Sequence, residues 1–230
     1  MINLKRANGI LLHISSLPGS YGIGEIGPEA FTFVDDLVEM GQTLWQILPD
    51  NPTDEYHCPY SATSAFANNP MLISLDNLIR DGWLNLNDVK SYPKTNFKKV
   101  DYPRFEKFKQ DLLSKAAANF KKTKRVNQKF DFENYCEKNQ YWLNDYALFC
   151  TIQNFLGEQQ WIKWPKTFRT HQISAIEDVI EEHRDKINKI KIIQYLYDVQ
   201  WKELKNYANS KGIKIIGDIP IYVSYNSVDV

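Results

Sequence analysis

Few stretches of this 230-residue chain have residue types and spacing that point to chemistry on their own. GIGEIG, Gly22 to Gly27, matches the G-x-G-x-x-G pattern of dinucleotide sites, with Asp50 following at a distance suited to a ribose contact. That site needs its first glycine in the tight turn directly after a strand, so that the helix N-terminus meets the pyrophosphate. Here SLPGSY intervenes, so the glycines read as a turn with close backbone approach. Cys58, Cys136 and Cys150 are odd in number and lack C-x-x-C spacing, which argues against both a disulfide framework and a structural zinc site. GIKIIGDIPIYVSY has the look of a site's rim, a strand running into a loop with an acid, a proline and aromatic residues.

The elements needed to position such residues follow from periodicity. GILLHIS, Gly9 to Ser15, is a short apolar run bounded by turn formers and predicts a strand buried on both faces. PEAFTFVDDLVEMG predicts a helix, with Pro28 and Glu29 in its first turn. Phe31, Val34, Leu37 and Val38 fall on one face, and Gly41 ends it. TLWQILP is the next strand, giving a β-α-β unit over residues 1–50 and hence parallel pairing. Residues from Asp50 to about Phe66 read as loop, and 70–200 as mostly helical. A helix ending at Gly212 then leads into a third strand around IKII. A connection of that length implies an inserted helical subdomain. The segments are therefore 1–50, an active-site loop with helical insert over 51–200, and the third strand with its loop over 201–230.

Composition narrows the function. The 28 basic and 28 acidic residues cancel, so there is no general field for nucleic acid or anionic lipid. Runs such as KKTKR read as solvated surface. The N-terminal apolar run is too short for a membrane span and lacks a cleavage site. A reducing, cytoplasmic location is expected.

Three stretches together carry a resemblance. They are GILLHISSLPGSYGIGEIGPEAFTFVDDL, GQTLWQILPDNPTDEYHCPYSATSAFANNPMLI and QYLYDVQWKELKNYANSKGIKIIGDIPIYVSYNSVDV, with WLNDYALF and WIKWP in support. In order and spacing they resemble the 4-alpha-glucanotransferases, also called amylomaltases or disproportionating enzymes. The resemblance implies an α/β fold, the first three strands of a (β/α)8 TIM barrel with a mostly helical insert between strands 2 and 3. Chemistry in such barrels sits at the carboxyl ends of the strands. The implied activity is transfer of an α-1,4-glucan segment to glucose or a maltooligosaccharide by retaining double displacement, with no metal and no organic cofactor.

By the same resemblance Tyr60 lines the sugar site and Asp218 stands at the end of strand three, both able to contact one bound sugar. His13, Trp45, Gln46 and Ser61 are further substrate-binding candidates. An aromatic face suits sugar C–H groups, and carboxylates accept hydroxyls. Each residue also has a plain structural reading. Tyr60 could order its loop, Asp218 could cap a turn, and Trp45 and His13 could equally be core. The chain departs from the family pattern LPL.PTGYGNSPY. Asp50 follows the Leu-Pro where the pattern has leucine, TDEYHC replaces a glycine-containing stretch, Cys58 stands for a serine, and Asn68 replaces a glycine.

Retaining transfer needs two carboxyls roughly 5 Å apart, which the resemblance assigns to strands beyond the third. No catalytic residue is therefore assigned to this chain, which reads as an N-terminal portion. A non-catalytic α-glucan-binding or vestigial fragment, or an unfolded remnant, are the alternatives. Positioned acid–base help alone is worth on the order of 10² to 10⁴ in rate, so residues 1–230 alone are expected not to disproportionate maltotriose. The measurement is glucose release beside a full-length protein, and comparable turnover would overturn the assignment.

Overall fold

The computed structural model describes residues 6–90, 100–157 and 160–230. In chain order, β1 is Gly9–Leu11, followed by a 3-10 turn Ile14–Ser16. Next come α1 (Pro28–Glu39), β2 (Leu44–Gln46) and a 3-10 turn Pro70–Leu72. Then follow α2 (Leu75–Arg80), α3 (Leu86–Val89), α4 (Tyr102–Lys121), α5 (Val126–Lys138) and α6 (Gln140–Leu156). A 3-10 turn Trp161–Lys163, α7 (Lys166–Arg169), α8 (Ile173–Glu182), α9 (Arg184–Ser210) and β3 (Lys214–Ile216) complete the order. Two compact units result. One comprises Met1–Asp50, Asn69–Ala116 and Leu196–Ile219, the other Asn51–Asn68, Ala117–Tyr195 and Pro220–Val230. Residues 69–90 and 100–116, within the stretch read from sequence as one insert, thus belong to the unit that holds the strands. Residues 91–99, also in that stretch, lie outside the described residues.

The strand-bearing unit holds a parallel sheet in the order β1-β2-β3, in the register Gly9↔Leu44↔Lys214. The three expected strands are present in the expected order, each reduced to a three-residue ladder. GILLHIS is corrected in extent and burial. It leaves the sheet after Leu12, whose N–H still donates to the Gln46 carbonyl at 2.9 Å, and Ile14 is buried by the turn that follows. Leu11 is 55% exposed, so β1 is not covered on both faces. An apolar run alone cannot distinguish a short strand plus turn from a longer strand.

Helix α1 starts as its sequence requires, with Pro28 at the first position and Glu29 in the first turn. Ala30, Val34 and Leu37 are its buried stripe, whereas Val38 is 42% exposed. Phe33 packs edge-on against Trp45 at 5.0 Å, and Phe31 against Tyr207 at 5.1 Å. Both helices that lead into strands end alike. After α1, Gly41 N–H donates to the Val38 carbonyl and Gln42 N–H to Leu37; after α9, Gly212 donates to Asn209 and Ile213 to Ala208. These are Schellman closures, and they hold Gly41 at φ +67° and Gly212 at φ +83°.

The polar centre of this unit is an ion pair. Lys109 on α4 is fully buried and donates to Glu25 and to the Ile73 carbonyl, while the other Glu25 oxygen accepts from Leu75 N–H at 3.0 Å. Burial pushes the Glu25 carboxyl up and the Lys109 ammonium down, each opposed by the partner's charge. Around it, Tyr21 donates to Asp76 at 2.9 Å and Asn77 to the Ile26 carbonyl at 2.9 Å. The Gln200 carboxamide clasps both the N–H and the carbonyl of Ser74.

The second unit is built on α5–α8 and the 184–195 part of α9. Phe149, Ile152, Trp164 and Val179 form one buried cluster, with Trp161, Phe168, Ile176 and Val228 against it. Phe120, Phe132 and Tyr135 gather around the Tyr195 ring at 5.5–5.6 Å. No helix among the described residues is long and apolar enough to cross a membrane.

The glycines separate conformational need from spatial need. Gly41 and Gly212 have open space where a Cβ would stand, so alanine there costs only its left-handed conformation, about 1 kcal/mol. At Gly24 a Cβ would lie 2.0 Å from the Ile14 carbonyl oxygen, which backbone must move to admit. Thermal unfolding should show small, similar losses for Gly41→Ala and Gly212→Ala and a clearly larger one for Gly24→Ala. Equal losses would contradict this division.

Candidate functional site

In the strand-bearing unit His13, Gln46 and Asp218 lie at the carboxyl ends of β1, β2 and β3: Gln46 is in register with Leu11 and Ile216, and His13 and Asp218 each follow those partners by two residues. All three are half-buried. Trp45 differs: it has no exposed surface, sits under Phe33, and donates its indole N–H to the Leu12 carbonyl at 2.7 Å. Of its two readings the structure gives it the core one, since neither ring face nor N–H remains for a sugar. Asp218 accepts the N–H of Ile219 at 2.8 Å, which fixes the carboxylate at the strand's end.

His13 is the first polar side chain beyond β1. Its Nδ1 is buried with no hydrogen-bond partner among the described residues. Burial lowers the imidazole pKa, and the charge of Asp50 partly opposes that. Asp50 is pinned twice. Its carbonyl accepts Asn69 N–H at 2.7 Å, and its Oδ2 accepts the hydroxyl of Tyr197, a residue with no exposure at all. Burial, followed by the adjacent carboxylate, drives the Tyr197 hydroxyl well above its ordinary range, so it stays a donor. Asp50 therefore has a partner in α9 and is no ribose ligand. Sequence reasoning missed this pair as a site feature, although Asp50 had stood out as a departure from the family pattern.

The 51–68 segment of the second unit is a compact loop with its own carboxylate organiser. Thr53 and Ala62 form an antiparallel bridge. Asp54 Oδ2 accepts the Ser61 hydroxyl at 2.6 Å, its Oδ1 accepts Tyr56 N–H at 3.0 Å, and its N–H donates to the Ser61 carbonyl at 3.0 Å. This is the local side-chain-to-backbone chemistry that favours aspartate in turns. Ser61 accordingly spends its proton on Asp54. Tyr60, beside it, is 50% exposed, and Tyr56 is 79% exposed. At the loop's end the Gln194 carboxamide accepts from Asn68 N–H at 2.9 Å and donates to the Asn68 carbonyl at 2.8 Å. Cys58 is exposed, and the three cysteines are free. No cluster of three or more metal-ligating side chains occurs among the described residues.

What these groups can do is bind: exposed tyrosine faces and carboxylates fixed by donors suit a polyhydroxylated ligand. Comparison with known proteins gives the family. The family model described as 4-alpha-glucanotransferase matches residues 12–230. A Streptococcus pneumoniae protein named 4-alpha-glucanotransferase is 40% identical over 228 residues, covering 98% of this chain and 45% of the relative. One of the same name from Clostridium butyricum is 41% identical over 225 residues, covering 95% and 44%. The amylomaltase from Streptococcus agalactiae, solved in complex with acarbose, superposes with a TM-score of 0.90 at 38% identity, covering 98% of this chain and 45% of that one. The chain thus spans less than half the length of the relatives it matches.

The depressed His13 pKa sets a pH dependence. The folded state favours neutral imidazole, so below the ordinary value of 6.5 the unfolded chain binds a proton that the folded one resists. Stability due to His13 is complete above that value and declines as pH falls through it. Unfolding midpoints measured between about pH 7 and 5 should fall less steeply in His13→Gln than in the parent. Parallel slopes would contradict a buried neutral His13.

Proposed function

Because this chain belongs to the 4-alpha-glucanotransferase family, we propose that the whole protein transfers α-1,4-glucan segments to glucose or a maltooligosaccharide by retaining double displacement. The observation that carries this reading is the match of nearly the whole chain, in sequence and in fold, to an amylomaltase solved with acarbose. The parallel order β1-β2-β3 supports the three strands as the first of a (β/α)8 barrel, and the helical residues between β2 and β3 as its insert. Tyr60 offers an aromatic face to a glucosyl ring, and Asp218 accepts a hydroxyl. His13, Gln46 and Ser61 supply further polar contacts. The two reacting carboxyls come from the remainder of the protein, and no metal or organic cofactor takes part. Free cysteines support a cytoplasmic location.

Binding by aromatic stacking is worth about 1 kcal/mol, so Tyr60→Ala should raise KM for maltotriose several-fold. The test is to incubate the full-length protein with maltotriose and follow glucose and longer oligosaccharides. Production of both, with retained anomeric configuration, is the expected result. Binding of maltotriose without glucose release would establish the non-catalytic alternative, and failure of Tyr60→Ala to change KM would remove that residue from the site.

A further inference from the structure

Asp50 sets a carboxylate directly after the largely apolar run Leu44 to Pro49 that carries β2. It stands three residues beyond Ile47, whose N–H makes the last hydrogen bond from this stretch to β3. Its backbone carbonyl is held by Asn69 and its Oδ2 by the buried Tyr197 hydroxyl, so its position is set by two independent elements. Asp50 is half-buried rather than sealed, and Oδ1 keeps acceptor capacity for a ligand hydroxyl.

Folding accounts for one oxygen of the carboxylate, the Oδ2 that accepts the buried Tyr197 hydroxyl, and leaves the other without a structural task among the described residues. A buried polar pair must offset the desolvation of its charge, and apolar side chains of similar volume commonly fill such space at no loss of stability. Residues that break the local apolar rule concentrate at functional sites. The charge of Asp50 also reaches His13, at the end of the neighbouring strand.

We propose that Asp50 is a specificity-determining residue of the glucan site, its carboxylate held by Tyr197 and accepting a sugar hydroxyl at the carboxyl end of β2. This rests on the glucanotransferase reading above. A charge-assisted hydrogen bond that leucine cannot make discriminates by about 10-fold or more. Tyr197 serves as a positioning residue, and loss of its hydroxyl leaves the carboxylate in place but unpinned.

The test uses the full-length protein, with acarbose binding measured calorimetrically and maltotriose turnover resolved into kcat and KM. Asp50→Leu should weaken acarbose binding about 10-fold and raise KM correspondingly. Asp50→Asn, which keeps an acceptor oxygen, should stay within about 3-fold of the parent. Asp50→Leu orphans the Tyr197 hydroxyl and can lower the melting temperature for that reason alone. The double variant Asp50→Leu/Tyr197→Phe removes both polar groups and should recover the melting temperature without recovering acarbose affinity. Parent-like affinity in the double variant would overturn the proposal, leaving Asp50 as a partner for Tyr197 only. A parent protein that neither binds acarbose nor releases glucose would instead overturn the glucanotransferase reading, and this proposal with it.

Discussion

The contact between Glu25 and Lys109 joins parts of the strand-bearing unit that are far apart in sequence. Glu25 belongs to the loop after β1, Lys109 to the middle of α4, and both reach the start of α2 through Ile73 and Leu75. Neither charge has access to solvent beyond a few per cent of its side chain. Such a pair contributes little relative to an apolar filling, but removing one member strands a buried charge at about 3–5 kcal/mol. Its geometric effect is larger than its net energy. It fixes the loop that leads away from His13 against the helix pair that follows the second strand.

That role explains why a glycine-rich stretch resembling a nucleotide site has other work. Gly24 lets the loop approach the Ile14 carbonyl, and Glu25, the residue after it, turns inward to Lys109. The dinucleotide pattern was legible as a string, but its chemistry depends on where the preceding strand stops. That distance was enough to set it aside.

The fold's parallel strands and their order could be read from apolar runs and from glycines at two helix ends, because those signals are local. Strand length could not, because a three-residue ladder and a seven-residue strand leave the same apolar pattern. Trp45 and His13 illustrate the limit at the site. One is core and the other half-buried, and only the partner surfaces, Phe33 over Trp45 and Asp50 near His13, distinguish them. Asp54 and Ser61 were legible as a polar loop, whereas their mutual bond depends on a backbone turn that brings residues seven apart together. The Asp50–Tyr197 pair spans 147 positions, a separation over which no single-sequence pattern carries information.

The carboxamides of Gln194 and Gln200 have a consequence for the ageing of the protein. Each grips one residue's N–H and carbonyl together, Asn68 in one case and Ser74 in the other, as the edge of another peptide would. The grip needs a donor and an acceptor on the same planar group. Hydrolysis of the amide exchanges one NH2 for an oxygen, leaving the N–H served but setting a negative charge against the carbonyl's lone pairs. A change of one mass unit would thus turn an attractive clasp into a half-repulsive one, buried at Ser74 where water cannot soften it.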